Sequence, residues 1–398
     1  MTGVTVRMYN VGLGDSFLLT FPSPGGDRKV LIDCGVHQAG PGPHKLGDVV
    51  DQIIADVTVD GRAHIDVVIA THRHRDHVHG FEQEEWANVE VGEVWMPWTE
   101  DPKDPEAKKI REIQSKKATS LCAALRLMGA SAHVLQIAEN ALTNAKAMAT
   151  LKSGFAGDPL RRYLPPKKRS DATFTSDVLP GVTIHAMGPS RDREVIRDMN
   201  PPKGESYLRL VAANGNGPAS LPFAENFVVS ERTAEAFFTS AGLGPRQLKA
   251  VERMAQEDPF ALAVALDAAV NGTSLMLMFE MGRALLLFPG DAQWGTWQNA
   301  LADDEWHGLL EKTTFYKVGH HGSHNATPKD FVESVIGAEF AGMVCTAKTK
   351  KFPSIPRLPL LKKLREKSGN RIARSDDAVK VTGFTRKGNV YAETQVKV

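Results

Sequence analysis

Thr71-His72-Arg73-His74-Arg75-Asp76-His77 follows without a break on Ile65-Asp66-Val67-Val68-Ile69-Ala70, and the rest of the chain is read from that junction. An apolar run this short, rich in β-branched residues, predicts a buried strand. The strand then delivers neutral imidazoles and a carboxylate, which are ligands for Zn²⁺ and similar first-row ions. Four candidate ligands so close in sequence cannot all reach one ion. Two positions are implied, His72 and His74 serving one, Asp76 and His77 the other. Of the chain's 13 histidines, His72, His74, His77 and His79 crowd this stretch, and His320, His321 and His324 crowd one other.

Two further strands end in the same kind of chemistry. Ala284-Leu285-Leu286-Leu287-Phe288 runs into Pro289-Gly290-Asp291. Alone, such an aspartate fits a turn or a helix N-cap; delivered into a histidine cluster, it can bridge two ions. Lys317-Val318-Gly319-His320-His321-Gly322-Ser323-His324 again places histidines after an apolar strand. Alternation at a strand end sends the two neighbours to opposite faces, so one is expected to bind metal and the other to meet substrate or move a proton, with His321 the favoured ligand.

Around these segments the pattern predicts an α/β chain. A meander occupies the first 35 residues (Val4–Met8, Ser16–Phe21, Lys29–Asp33), and helices are expected over Leu46–Ala55, Glu106–Gly129 and Pro359–Lys367. Further strands are expected at Glu93–Met96, Ala132–Ile137, Val182–Ala186, Leu275–Phe279, Thr314–Val318, Gly342–Thr346 and Ala378–Thr382 with Val390–Thr394. Arg161 to Arg169 reads as an exposed basic loop. The whole chain, 1–398, is expected to be one domain with insertions at about 138–180 and 192–265.

Composition narrows the function classes. With 48 Lys+Arg against 47 Asp+Glu the net charge is +1, which argues against a polyanion binder held by bulk charge. Hydrophobic residues at 42% and charged residues at 24% are those of an ordinary globular protein. No apolar run long enough for a membrane span is present, and the N-terminus has no signal-peptide pattern. Three cysteines, Cys34, Cys122 and Cys345, suit a reducing compartment, so a cytoplasmic location without membrane attachment is expected.

Six segments in order resemble the metallo-β-lactamase fold superfamily, and more narrowly its ComEC-like hydrolase domains and phosphorylcholine esterases. They are Asn10-Val11-Gly12-Leu13-Gly14-Asp15-Ser16, Val30-Leu31-Ile32-Asp33-Cys34-Gly35, the HxHxDH stretch, Asn271-Gly272-Thr273-Ser274-Leu275, Phe288-Pro289-Gly290-Asp291 and Val318-Gly319-His320-His321-Gly322-Ser323. The resemblance implies an αββα sandwich with two divalent ions, Zn²⁺ or Mn²⁺, at one edge. It places His72 and His74 on the first ion, Asp76, His77 and one of His320 and His321 on the second, and Asp291 between them. Many members supply another histidine to the first ion. This chain offers only His133 and His185 in the corresponding region, and His185 reads as structural, so the first position is expected to be open or weakly held.

The resemblance further implies hydrolysis of a phosphodiester, in nucleic acid, a nucleotide or a small ester, by an ion-activated water. Asp76, His320 and His324 are the residues expected to act in the chemistry, the histidines by protonating the leaving oxygen. Asp33 is expected to orient the histidine loop, and His79, Ser323 and Lys348 are candidates for supporting or substrate contact. Lys348, Lys350 and Lys351 either meet phosphate or form a solvated loop. The same ligands would serve a carboxylic ester, lactone or β-lactam, and a metal-stabilised nucleic-acid or nucleotide binding module is the non-enzymatic alternative.

Overall fold

Strict alternation along the strands dictates two sheets, each covered on both faces. In Ser16–Phe21 (β2), Phe17, Leu19 and Phe21 face one core and Leu18 another; in Ala284–Phe288 (β11), Leu286 and Phe288 face that first core and Leu285 and Leu287 a third. The first sheet holds Gly3–Tyr9 (β1), β2, Arg28–Cys34 (β3), Arg62–Ile69 (β5), Glu90–Pro97 (β6), Leu160–Leu164 (β7), Phe384–Lys387 (β15) and Tyr391–Lys397 (β16). Their order is β15-β16-β1-β2-β3-β5-β6-β7, with the short Thr58–Val59 (β4) paired to β5. The second holds Thr173–Thr175 (β8), Thr183–Gly188 (β9), Met276–Met281 (β10), β11, Phe315–Lys317 (β12), Ala341–Val344 (β13) and Ile372–Arg374 (β14), in the order β14-β13-β12-β11-β10-β9-β8. These assignments come from a computed structural model that describes residues 3–127, 135, 139, 144–198, 201, 202, 205, 269–323, 325–349, 352 and 354–398.

The two sheets pack face to face through a shared apolar layer. Phe17 meets Phe288 edge to face with ring centroids 5.5 Å apart, and Phe21 meets Phe279 at 5.8 Å. Each such pair adds about 0.5–1.5 kcal/mol to the area it buries. Helices cover the outer faces. Leu46–Val57 (α1) and Ala145–Ser153 (α4) lie on the first sheet through Val49, Val50, Ile53 and Leu151. Trp294–Ala302 (α6), Asp304–Glu311 (α7) and Leu358–Lys367 (α8) lie on the second through Trp297, Leu310, Leu361 and Leu364. The architecture is the expected αββα sandwich.

Both sheets are parallel where it matters for the site. β3, β5, β6 and β7 run parallel, as do β11, β12, β13 and β14. The carboxyl ends of β3, β5, β11 and β12 therefore converge on one edge, carrying Asp33, His72, Asp291 and Lys317.

Several expectations change. No strand forms over Ala378–Thr382; the partner of β16 is β15, a few residues later. Arg161 and Arg162 belong to β7 and not to an exposed loop, because the Arg162 guanidinium is held by buried Glu93 with two bonds of 2.6 and 2.8 Å. Of the strand expected over Ala132–Ile137 only Leu135 is described, and it is helical. The helix expected over Glu106–Gly129 runs Pro105–Leu127 (α3). Within the expected insertion at about 138–180, β7 and β8 extend the two sheets. The other, 192–265, lies outside the described residues apart from Arg193–Arg197 (α5) and its immediate surroundings. Among the described residues no helix is long and apolar enough to cross a membrane.

Candidate metal centre

Asp33 organises the histidine loop. Its Oδ1 accepts the Thr71 backbone N–H and its Oδ2 accepts the Thr71 hydroxyl, both at 2.7 Å. His77 Nδ1 donates to the same Oδ2 at 2.7 Å, which turns Nε2 toward Asp291 Oδ2, 3.2 Å away. A carboxylate on one ring nitrogen fixes the tautomer that leaves the other for a metal. His77 and Asp76 sit on the short helix Arg75–Val78 (α2), and Gly35 allows that helix to lie directly on the end of β3. A Cβ at Gly35 would stand 2.5 Å from the backbone of Arg75, Asp76 and His77.

The second sheet supplies the other half. His321 Nδ1 donates to the Cys345 carbonyl at 3.1 Å, so Nε2 is the nitrogen that faces Asp76 Oδ2 at 3.2 Å. Asp76, His77, Asp291 and His321 each bring one ligand atom within 4.8 Å of the others, and all four are buried. On the other side of the cluster, His72 Nε2 lies 3.0 Å from His74 Nδ1, and the His72 and His77 rings are 4.1 Å apart between centroids. The structure thus brings together His72, His74, Asp76, His77, Asp291 and His321.

The local charge explains what such a cluster needs. Asp15, Asp33, Asp76 and Asp291 are buried here, with Lys317 the buried lysine among them. Lys317 Nζ pairs with Asp15 Oδ2, donates to the Gly290 carbonyl at 3.1 Å and stands 3.6 Å from Asp291 Oδ1. Four carboxylates against one ammonium leave three negative charges, a load that burial makes costly unless cations or protons answer it. Among the described residues, neither Asp291 oxygen nor His77 Nε2 has a hydrogen bond of acceptable geometry. The donor set, the excess charge and these unmatched atoms together fit divalent ions.

Proton affinities follow the same field. Burial opposes the charge on Asp76, but the His321 hydrogen bond and the nearby His77 outweigh it and hold the carboxyl well below its usual range. Burial also opposes charge on Asp291, and His77, His320 and Lys317 prevail there too, again well below the usual range. His77 is lifted well above the ordinary histidine value, since Asp291 and Asp33 overcome the effect of burial. His72 moves the other way: burial, then His77 and His74, keep it neutral.

Backbone strain marks the same residues. Asp33 (φ 57°), His320 (φ 44°) and His321 (φ 53°) all adopt the left-handed conformation. The other described non-glycine residues with positive φ are Asp60 and Asn370, types that tolerate it in turns. Two consecutive non-glycine residues in that region, His320 and His321, cost about 1 kcal/mol or more each. His320 and His321 therefore diverge through a tight left-handed turn, not through the strand alternation expected of them. His321 is buried in the cluster, while His320 is part-exposed at its rim with Nε2 3.7 Å from Asp291 Oδ2.

The remaining candidates fall in different places. His79 packs against Arg75 at 2.5 Å and Glu82 at 3.7 Å, and burial followed by Arg75 pushes it down to about 4. These two side chains, Arg75 and Glu82, are its neighbours in the structure. Ser323 bonds Asn325 at 3.0 Å, Asn325 bonds Gln293 at 2.6 Å, and Gln293 returns to the Asp291 carbonyl at 3.1 Å, so Ser323 braces the loop that carries Asp291. Lys348 is exposed. His324, Lys350, Lys351 and His133 lie outside the described residues. His185 is taken up by Thr173 at 3.1 Å and Glu280 at 3.0 Å in the second sheet.

Sequence reasoning overlooked three supports. Asp15 and Lys317 form the buried ion pair, and the lone lysine inside the apolar strand Phe315-Tyr316-Lys317-Val318 was the available signal. Arg73, between the first two histidines, is clamped by Glu100 through two bonds of 2.9 Å, and Asn144 donates to its carbonyl at 2.6 Å.

The family model described as Metallo-beta-lactamase superfamily matches residues 9–190. That span contains Asp15, Asp33 and the entire histidine loop, whereas Asp291 and His321 lie beyond it. No curated protein sequence matches the chain. Among solved structures, Zn²⁺-bound PqqB from Methylobacterium extorquens is similar at 11% identity, with 92% of this chain and 86% of that one covered and a TM-score of 0.36.

Proposed function

We infer that this chain is a metal-dependent hydrolase of the metallo-β-lactamase superfamily and that its substrate is a phosphodiester. The observation that carries the first part is the buried quartet Asp76, His77, Asp291 and His321, set among four carboxylates that one lysine cannot neutralise. Bound divalent ions would polarise the ester's oxygen and make water a competent nucleophile near neutral pH. The protein's own contribution is positioning. Asp33 and the Cys345 carbonyl orient His77 and His321, Lys317 stands beside one oxygen of Asp291, and the Ser323–Asn325–Gln293 chain fixes its backbone. His320, at the rim and near Asp291, is placed to hand a proton to the leaving oxygen.

The phosphodiester reading rests on the resemblance of the histidine–glycine–serine segment to the ComEC-like and phosphorylcholine-esterase branches. The reading favours exposed lysines over paired arginines as contacts for the phosphate. Arg162 is committed to Glu93 and Arg169 to Asp303, while Lys348 is exposed. The test is a panel of bis-p-nitrophenyl phosphate and single-stranded DNA, supplied with Mn²⁺ or Zn²⁺, beside carboxylic ester, lactone and β-lactam substrates. Phosphodiester turnover that disappears in chelator and in the D76A/H77A double variant is expected. Turnover of carboxylic substrates alone would replace the substrate assignment, and activity that survives both treatments would end the metal reading.

A further inference from the structure

We propose that the side-chain oxygen of Asn271 is the third ligand of a first metal position formed with His72 Nε2 and His74 Nδ1. The inference rests on the metal-centre reading above and adds a residue to it. Among the described residues, His185 does not supply a third imidazole, because it is bound to Thr173 and Glu280 in the second sheet. Instead, buried Asn271 sets its Oδ1 2.8 Å from His74 Nδ1, which in turn is 3.0 Å from His72 Nε2. Nitrogen and oxygen atoms sharing one tetrahedral ion at zinc-like bond lengths stand about 3.3 Å apart. The observed spacings, 2.8 and 3.0 Å, are a few tenths of an ångström shorter, so the three atoms need move only slightly apart to share an ion.

The hydrogen-bond pattern selects the atoms. The Thr71 hydroxyl gives its proton to the Asp33 carboxylate, so its oxygen can only accept from His72 Nδ1–H at 3.2 Å. His72 Nε2 is then the bare nitrogen, and it points at His74 Nδ1. One proton on His74 Nδ1 serves both neighbours, because His72 Nε2 and the Asn271 oxygen are each acceptors. A divalent ion in that proton's place would draw on all three lone pairs.

Asn271 is also held to the loop it would complete. Leu275 N–H donates to the Thr71 carbonyl at 2.8 Å, and the turn that carries Asn271 is closed by Thr273 N–H to Val270 O at 2.9 Å and Ser274 N–H to Asn271 O at 3.0 Å. The chain therefore presents two unequal positions. Apart from Asp291, expected between them, the second has a carboxylate, Asp76, with two imidazoles, and the first has two imidazoles and a neutral amide oxygen. An amide oxygen is a harder, weaker donor than a third imidazole, so the first position binds more weakly and shifts its preference from Zn²⁺ toward Mn²⁺.

Calorimetric titration of Mn²⁺ and Zn²⁺ into the chelator-stripped full chain, with elemental analysis of the product, tests this without recourse to activity. The unaltered protein is expected to bind two ions per chain in two classes. Asn271→Ala is expected to keep the tight class and weaken the other at least 10-fold. Asn271→Asp, nearly identical in shape, is expected to tighten the weak class, and Asn271→His to favour Zn²⁺ there. An Asn271→Ala variant that binds both ions with unchanged affinities overturns the assignment, as does a parent chain that takes up a single ion. Should Asn271→Ala fail to fold by circular dichroism, an unchanged weak class in both Asn271→Asp and Asn271→His overturns it instead. A parent chain that binds no ion removes the metal-centre reading as well.

Discussion

Replacing Asp33 by asparagine preserves the side chain's shape and suits a backbone at φ 57°, yet it removes the acceptor on which three donors converge. Thr71 N–H, the Thr71 hydroxyl and His77 Nδ1 each stand 2.7 Å from the carboxylate. An amide has one carbonyl oxygen. Turned one way, its NH₂ group faces the Thr71 backbone N–H, which can only donate; turned the other way, it faces His77 Nδ1, which must give up its proton to accept. Losing one charge-assisted bond costs about 1.5–3 kcal/mol in folding stability, and the buried Thr71 amide or His77 ring is left without its partner. The larger consequence is for the metal: His77 no longer has a fixed tautomer. Substitutions at such supporting carboxylates weaken metal binding about 10–100-fold, or about 1.4–2.7 kcal/mol. The assay is Zn²⁺ affinity by competition with a chromophoric chelator, alongside urea unfolding of the stripped protein. Asp66→Asn is the control. Asp66 is also buried and accepts the Lys29 backbone N–H at 2.6 Å in the same sheet, away from the ligands. It should cost stability and leave the metal affinity alone. A folded Asp33→Asn protein with parental affinity, or an equal loss of affinity in Asp66→Asn, would refute the claim that Asp33 orients His77.

Gly35→Ala drives a methyl group into the backbone of α2; the variant should lose metal affinity by at least an order of magnitude, measured by the same competition, because the helix carrying Asp76 and His77 must move. His320→Gln should retain the bound metal in elemental analysis but lower kcat about 10²–10⁴-fold, whereas His321→Gln should lose metal; equal metal loss in both would remove the proposed division of labour. Glu93→Gln probes the fold itself. Glu93 accepts from Trp95, Arg162 and Ser176, and although burial opposes its charge, those bonds hold its carboxyl below the usual range. Its stabilisation is therefore complete above the unfolded-state value, about 4.3, and is lost as pH falls through the lower folded-state value. Urea unfolding should show Glu93→Gln weaker by about 1.5–3 kcal/mol at pH 7, with the gap closing below pH 4; a gap independent of pH would contradict the assignment.

The sequence made the architecture legible where periodicity and burial agree. β3, β5 and the β10–β11 hairpin announced themselves because their apolar runs are short, β-branched and bounded by turns. β15 did not. Phe384-Thr385-Arg386-Lys387 carries two charges and one aromatic residue, as an edge strand with a solvated face can, while Val379 and Val381 gave the preceding segment a false alternation; Val379 is in fact 62% exposed. The β7 arginines misled for a related reason. A basic run looks solvated until the carboxylate that captures it, Glu93, is known. At the site, HxHxDH, Asp291 and His321 were readable because ligand chemistry restricts residue type so severely. Asp15, Lys317 and Asn271 were harder, since each is defined by a contact with residues distant in sequence, and no local pattern distinguishes a buried aspartate or asparagine from a turn residue.

That distinction also resolves the apparent neutrality of the chain. A net charge of +1 sums the whole chain and says little about the site, where Asp15, Asp33, Asp76 and Asp291 share a buried volume with Lys317. Without ions the excess negative charge is met by protons, which is why Asp291 and Asp33 lift His77 so far above its ordinary range. With ions those protons must leave, so folding, protonation and metal binding are linked through one set of side chains. Lys317 marks the boundary of that linkage. Its ammonium is fixed to Asp15 and stands beside one oxygen of Asp291, leaving the other oxygen facing His77 and His320. A permanent cation thus stands beside the carboxylate expected to lie between the two metal positions, and the exchangeable charge falls on its other oxygen.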